Sequence, residues 1–236
     1  MNKNLFLLLI LILVSSLSAN WIDIEENKEV KLFDHTSSSK AYTEVYFSLN
    51  GYEIETMREN EIDYQKITYI NEGNLLAVGK PDLPKFTRLL AVPAEGTVNF
   101  EVIVTETEVI EDIDIYPAQV LQSESDKKPF KFAIDEAYYT NGILYPSNIV
   151  EIGEPVILRD QRVVSVSVNP FQYDPQSRTL HIVKNVDISV SSSGKGGGNI
   201  KDTDRKVSRF FEPIYRSAIM NYDSTVSRDL VYQDPS

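Results

Sequence analysis

Apolar and polar residues alternate with period two over much of the chain between Ala41 and Val190. Val164, Val166 and Val168 alternate with Ser165 and Ser167, and Val186, Ile188 and Val190 alternate with Asp187 and Ser189. Residues two apart share one face of a strand, so each run predicts a strand with one buried and one wetted face. Val98, Phe100, Val102 and Val104 alternate with Asn99, Glu101 and Thr105, and Tyr64–Ile70 and Phe86–Val92 predict two further strands. Tyr42–Leu49, Asn50-Gly51 and Tyr52–Met57 read as a hairpin, because Asn-Gly accepts the positive φ of a type I′ turn. Between the two valine-rich strands, Asn169–Leu180 is rich in Pro, Asp and Ser and reads as a turn-forming loop.

Short strands separated by turns predict an all-β fold, a two-sheet antiparallel β-sandwich of jelly-roll-like form over residues 19–190. Gly79-Lys80-Pro81-Asp82-Leu83-Pro84 reads as a rigid connector entering the sheet at an edge or corner. Gly79 is placed there for a backbone shape closed to other residues. After Val190 the composition changes. Ser191–Gly198 reads as a flexible linker, carried on to residue 204. Phe210, Phe211, Ile214, Tyr215, Ala218, Ile219 and Tyr222 then bring apolar residues back at helical spacing. This predicts a short C-terminal helical segment over 205–228, with Pro213 in its first turn or just before it. Its apolar side packs on its own sandwich or docks on a partner.

The N-terminus reads as a secretory signal peptide, residues 1–18. Lys3 supplies the positive start, and Leu5–Val14 is an apolar run too short to span a bilayer. The expected location is therefore exported: periplasm, cell surface or medium. The chain has no cysteine, which removes thiol nucleophiles, disulfides and Cys-based metal sites. The formal charge of −12 repels phosphate backbones and argues against nucleic-acid binding. The two histidines, His35 and His181, lie in no catalytic context, and no serine lies in a Gly-x-Ser-x-Gly motif. No cofactor is expected. The acidic run Glu106, Glu108, Glu111, Asp112 and Asp114 leaves calcium as an alternative, although it lacks an EF-hand pattern and alternating glutamates line a wet strand face. Tyr138, Tyr139 and Tyr145, on one predicted loop, leave a glycan-stacking platform as another.

Several motifs, in order, carry a resemblance. They are Gly79–Pro84, Leu90-Ala91-Val92, Asp114-Ile115-Tyr116-Pro117-Ala118, Ile157-Leu158-Arg159-Asp160 and Phe171-Gln172-Tyr173-Asp174-Pro175 with Leu180. In the tail they are Ile214-Tyr215-Arg216-Ser217 and Met220-Asn221-Tyr222. Together, from about Ala41 to Tyr222, they resemble the propeptide of gingipain-type cysteine peptidases. The resemblance implies a non-catalytic β-sandwich pro-domain that helps a following caspase-like catalytic domain to fold and keeps it latent until cleaved. That domain would be the partner, in cis or in trans. The resemblance also implies an activation cut, for which Arg228 is the candidate, residues 229–236 then beginning the next domain. In arginine-specific members a loop after the Tyr-Pro-Ala motif offers a basic residue to the enzyme. The matching position here is Glu124, a departure from the pattern, with Lys127 and Lys128 nearby. Leu121–Pro129 is accordingly the candidate inhibitory loop, with Leu121, Glu124, Lys127 and Lys128 as its named residues. Phe210, Phe211, Ile214, Tyr215, Met220 and Tyr222 form the candidate docking segment. A secreted β-sandwich module for glycan or cell-surface protein is the alternative function.

Overall fold

The computed structural model describes residues 20–24, 31–39, 41–121, 131–201 and 209–225, so the predicted signal peptide lies outside the described residues. The strands are β1 (Asn20–Asp23), β2 (Phe33–Ser39), β3 (Tyr42–Ser48), β4 (Gly51–Glu59), β5 (Ile62–Thr68), β6 (Gly73–Asn74) and β7 (Pro84–Ala91). They continue as β8 (Thr97–Ile110), β9 (Val150–Ile152), β10 (Val156–Leu158), β11 (Gln161–Val168), β12 (Phe171–Asp174) and β13 (Thr179–Ser193). Helix α1 is Glu136–Asn141; a 3-10 turn, Arg209–Phe211, leads into α2 (Glu212–Ala218) and α3 (Tyr222–Thr225). No described helix is long and apolar enough to cross a membrane.

All pairings between these strands are antiparallel. One sheet runs β2-β3-β13-β8, with β12 in line with β3 along β13. A second runs β10-β11-β7-β6, with β9 in line with β10 along β11. A smaller sheet, β1-β4-β5, completes the set. A single core joins them: Val45, Phe47, Val186 and Ile188 from the first sheet pack with Phe86, Leu90, Val164, Val166 and Val168 from the second. Phe47 and Phe86 meet edge to face across it, ring centroids 5.3 Å apart. With no disulfide available, burial of these side chains is the main source of stability.

The predicted strands are present, but four expectations are corrected. Asn50-Gly51 does not close a hairpin: β3 pairs with β13 and β2, whereas β4 pairs with β1 and β5, so the dipeptide passes between sheets. Neither residue has positive φ. Gly51 is required for another reason, since a Cβ there would collide with the Trp21 ring and the Ile22 carbonyl of β1. The left-handed pair lies instead at Asn60 and Glu61, φ 48° and 67°, closing the β4–β5 hairpin. Secondly, Asn169–Leu180 is not all loop: Phe171 and Tyr173 in β12 are buried in the core, and only Asn169-Pro170 and the turn over 175–178 lie outside the strands.

Thirdly, the alternating strands do not all have one wet face. Strand β11 is buried on both, with Val163 covered on the side opposite Val164. Strand β8, at the sheet edge, is exposed along nearly its whole length. Lys184 lies 3.3 Å from Glu106 and 3.0 Å from Glu108, and Arg178 lies 3.8 Å from Asp112 and 2.9 Å from Asp114. Charged side chains of this kind discourage unwanted pairing at a sheet edge. Fourthly, the region holding Tyr138 and Tyr139 is a helix. Asp135 caps α1 by accepting from the Tyr138 amide at 3.1 Å, and Gly142 ends it at φ 56°.

Candidate partner-binding surface

The stems of the candidate loop are built from the Tyr116-Pro117-Ala118 stretch on one side and Phe132–Asp135 on the other. Gly79, at φ 84°, donates to the Ala118 carbonyl at 2.7 Å and accepts from the Asp135 amide at 3.0 Å. A Cβ at Gly79 would strike that amide, 2.6 Å away, which fixes glycine here as the sequence predicts. Gln119 completes the base. Its Nε2 donates to the carbonyls of Pro117 and Ala133, at 2.8 and 3.0 Å, and its Oε1 accepts from the Ala133 amide at 2.8 Å. One amide side chain thus does the work of a short strand pairing and holds both stems. Beneath it Tyr64, Tyr116 and Phe132 form a ring cluster with centroids 5.7–6.1 Å apart. Leu121 leaves this base 86 % exposed. Glu124, Lys127 and Lys128 lie outside the described residues.

A second construction holds the C-terminal segment. Tyr215, Ile219 and Tyr222 pack with Ala91 and Val163 in a satellite core on the far side of the second sheet. The Tyr215 hydroxyl donates to Asp160, a carboxylate buried in the β10–β11 turn, and burial followed by this bond pushes the phenol's pKa up. The Arg159 guanidinium stacks 3.6 Å from the Phe211 ring centroid. The Met220 amide donates to the Leu89 carbonyl at 2.9 Å. Asn221, fully buried, accepts from the Ala91 amide at 2.7 Å and donates to the Ala91 carbonyl at 3.0 Å. Its Nδ2 also reaches Thr43 Oγ1 at 3.2 Å. These bonds cover the edge of β7 that β6 leaves open, which is one way proteins prevent a free edge from pairing with another chain.

A family model described as Propeptide_C25 matches residues 21–230. The chain belongs to the Propeptide_C25 family. Gingipain R1 of Porphyromonas gingivalis is 28 % identical over 208 residues, covering 87 % of this chain and 20 % of that protein. Gingipain R2 of strain W83 is 28 % identical over 203 residues, 84 % of this chain and 27 % of that protein. The chain therefore spans little more than a quarter of the length of these relatives at most. Among solved structures, the complex of P. gingivalis RgpB pro- and mature domains matches at TM-score 0.73 and 26 % identity, over 84 % of this chain and all of that one. A structure described as giving insight into the zymogenic latency of gingipain K matches in fold, at TM-score 0.63 and 22 % identity, over 75 % of this chain and all of that one.

The antiparallel sandwich and the propeptide resemblance both stand on these findings. Motifs of the Propeptide_C25 chain that are far apart in sequence meet in space: Ile157–Asp160 receives Ile214–Ser217, and Leu90-Ala91-Val92 receives Met220-Asn221-Tyr222. The candidate docking segment accordingly splits. Tyr215 and Tyr222 are buried, Met220 and Phe211 are half-buried, and only Phe210 and Ile214 point to solvent, 69 % and 51 % exposed. Pro213 sits in the first turn, as expected. The linker is corrected too. Ser191–Ser193 belong to β13, and Arg162 holds the carbonyls of Gly198 and Asn199. Arg228 lies outside the described residues. The tyrosine platform is not open: Tyr138 stacks edge-on with Tyr139 and Tyr145, Lys80 sits 5.7 and 5.4 Å from the Tyr138 and Tyr145 ring centroids, and Tyr138 is buried. Neither Gln119 nor Asn221 was recognisable by type or motif as a structural clamp.

Asn221→Ala is expected to cost about 2 kcal/mol, since it strands the buried amide and carbonyl of Ala91. Chemical denaturation checks this. Limited proteolysis should show cutting within residues 209–225 before the sandwich opens.

Proposed function

We propose that this chain is the pro-domain of a secreted gingipain-like cysteine peptidase, binding the catalytic domain, holding it latent and assisting its folding. The carrying observation is the clamped loop base: Gln119 and Gly79 fix both stems of Leu121–Pro129 on the sandwich. An inhibitor must fill a cleft from a rigid scaffold, because ordering a floppy loop on binding subtracts from affinity. Family membership and the solved RgpB pro- and mature-domain complex support the reading. The absence of cysteine assigns catalysis to another segment or another chain. While the two parts share one chain, high local concentration lets a modest affinity suffice, and a cut after Arg228 would remove that advantage. Glu124, where a basic residue is expected, favours a peptidase whose specificity pocket is not acidic, since an unpaired like charge is costly to bury. Export follows from the predicted signal peptide. The binding-module alternative has lost its aromatic platform.

Titration of residues 19–236 into the purified catalytic domain of the same organism tests the proposal. Saturable loss of peptidase activity at one-to-one stoichiometry is the expected result. Full activity at a hundredfold excess of folded protein would overturn it.

A further inference from the structure

Strand β8 pairs with β13 on one side, and among the described residues no strand pairs with its other side. The ion pairs of Glu106 and Glu108 with Lys184 guard its C-terminal half. The stretch from Thr97 to Thr105 carries one charge, Glu101, which has no ion pair among the described residues. Phe100, Val102 and Val104 stand opposite Val190, Ile188 and Val186 of β13, so they lie on the core face of the first sheet. The core does not extend over them: they are 44 %, 36 % and 37 % exposed. Ile103, on the opposite face, is 63 % exposed. A bare apolar strand edge, with its unpaired main-chain donors and acceptors, is a template for another strand.

The sequence of β8 identifies the occupant, because it is complementary to itself. Antiparallel pairing about a twofold axis sets each residue opposite a fixed partner in the second copy, and opposite residues share a face. With the axis at Val102, Val102 faces itself, Phe100 faces Val104, Glu101 faces Ile103 and Asn99 faces Thr105. Phe100, Val102 and Val104 then cover one another, in part as aromatic–β-branched pairs. No carboxylate meets a carboxylate. An axis at Glu101 would set the two carboxylates against each other. One at Ile103 would set Phe100 against Glu106 and run into the irregularity of β8 opposite Asn185. One at Phe100 would leave Val104 uncovered, opposite Gly96 beyond the strand. The apolar pattern thus selects one register. We infer that Thr97–Thr105 is a homodimerisation edge, on which two copies of this chain join β8 to β8 with the axis at Val102. The inference goes beyond the pro-domain reading and does not depend on it. The charge of −12 opposes self-association at long range, where salt screens it, whereas the contact itself is apolar and main-chain.

Sedimentation velocity of residues 19–236 tests this, on the unaltered protein and on Val102→Lys, which sets two ammonium groups against each other across the axis. The unaltered protein is expected to dimerise with a dissociation constant below about 100 μM, and the dimer should tighten as salt rises from about 0.05 to 0.5 M. Val102→Lys should raise that constant at least about tenfold, with an unchanged melting temperature. A monomer at every concentration up to about 200 μM would overturn the inference. So would a dimer that salt weakens, or one that Val102→Lys leaves intact. Should Val102→Lys melt early, single cysteines decide, since the chain has none of its own. Across the axis two copies of Val102→Cys lie within disulfide reach, about 4.5–5.5 Å between Cα atoms, whereas two copies of Glu101→Cys stand about 8 Å apart. Mild oxidation should give a covalent dimer of Val102→Cys and not of Glu101→Cys, and any other pattern would overturn the register.

Discussion

Arg162→Met should lower the stability of this protein by about 3 kcal/mol, because it removes charge-assisted hydrogen bonds and leaves their carbonyl partners short of donors. Arg162 is the second residue of β11 and only 1 % exposed. Its Nη1 donates to Pro93 O at 2.8 Å, its Nη2 to Gly96 O at 3.0 Å and Gly198 O at 2.9 Å, and its Nε to Asn199 O at 3.0 Å. Burial lowers its pKa, yet guanidinium starts so high that the charge persists in the fold. The side chain therefore ties the β7–β8 turn to the segment leaving β13, with carbonyl dipoles in place of a carboxylate. Around it the Gly96 amide bonds to Gly196 O at 2.7 Å and the Lys201 amide to Ala94 O at 2.8 Å. Methionine keeps the stem's volume and isolates the hydrogen bonds. For a chain of this size the loss corresponds to a fall in melting temperature of roughly 6–12 °C. A new protease-sensitive site should open between residues 194 and 201. A fall of less than about 3 °C without new cutting would mean that water replaces the guanidinium and the clamp adds little.

The role of Arg162 also marks where sequence reasoning reaches its limit. Its partners are four backbone carbonyls, and a carbonyl has no residue identity. Gln119 at the loop base and Asn221 against β7 likewise hold main-chain amides and carbonyls, to which Asn221 adds the Thr43 hydroxyl. Strand existence was legible because alternation follows from burial, as Val164, Val166 and Val168 illustrate. Which strand pairs with which was not, because Asn50-Gly51 is a local signal and sheet membership is not local. Strand β12 was hidden by flanking prolines, although Phe171 and Tyr173 belong to the core. Helix α1 left a readable trace in Asp135 and Gly142 that the surrounding β pattern overrode. In the C-terminal segment the helical period identified the apolar residues correctly. It could not separate Tyr215 and Tyr222, which turn inward, from Phe210 and Ile214, which do not. A run of serines and glycines read as flexible because composition reports the absence of packing side chains, whereas here a distant arginine supplies the order.

High pH should unfold the domain more sharply than any single substitution described above. Tyr138, Tyr139, Tyr173 and Tyr215 all have phenols whose pKa is pushed up, in each case chiefly by burial. In the unfolded chain the same phenols ionise near their ordinary value of about 10. A group whose pKa is higher in the folded state contributes stability that is complete below the unfolded value and disappears as pH climbs toward the folded one. Each such tyrosine therefore withdraws about 1.4 kcal/mol per pH unit above 10, and four of them together roughly 5.5 kcal/mol per unit. A domain of ordinary stability, about 5–15 kcal/mol, has little left between about pH 11 and 12. Tyrosinate absorbance, recorded with circular dichroism, checks the prediction. The buried set should ionise in one step together with loss of sheet signal. Smooth ionisation of every tyrosine with the sheet signal intact would mean that these phenols reach water in the folded state, and that the Tyr138–Tyr139–Tyr145 stack is open after all.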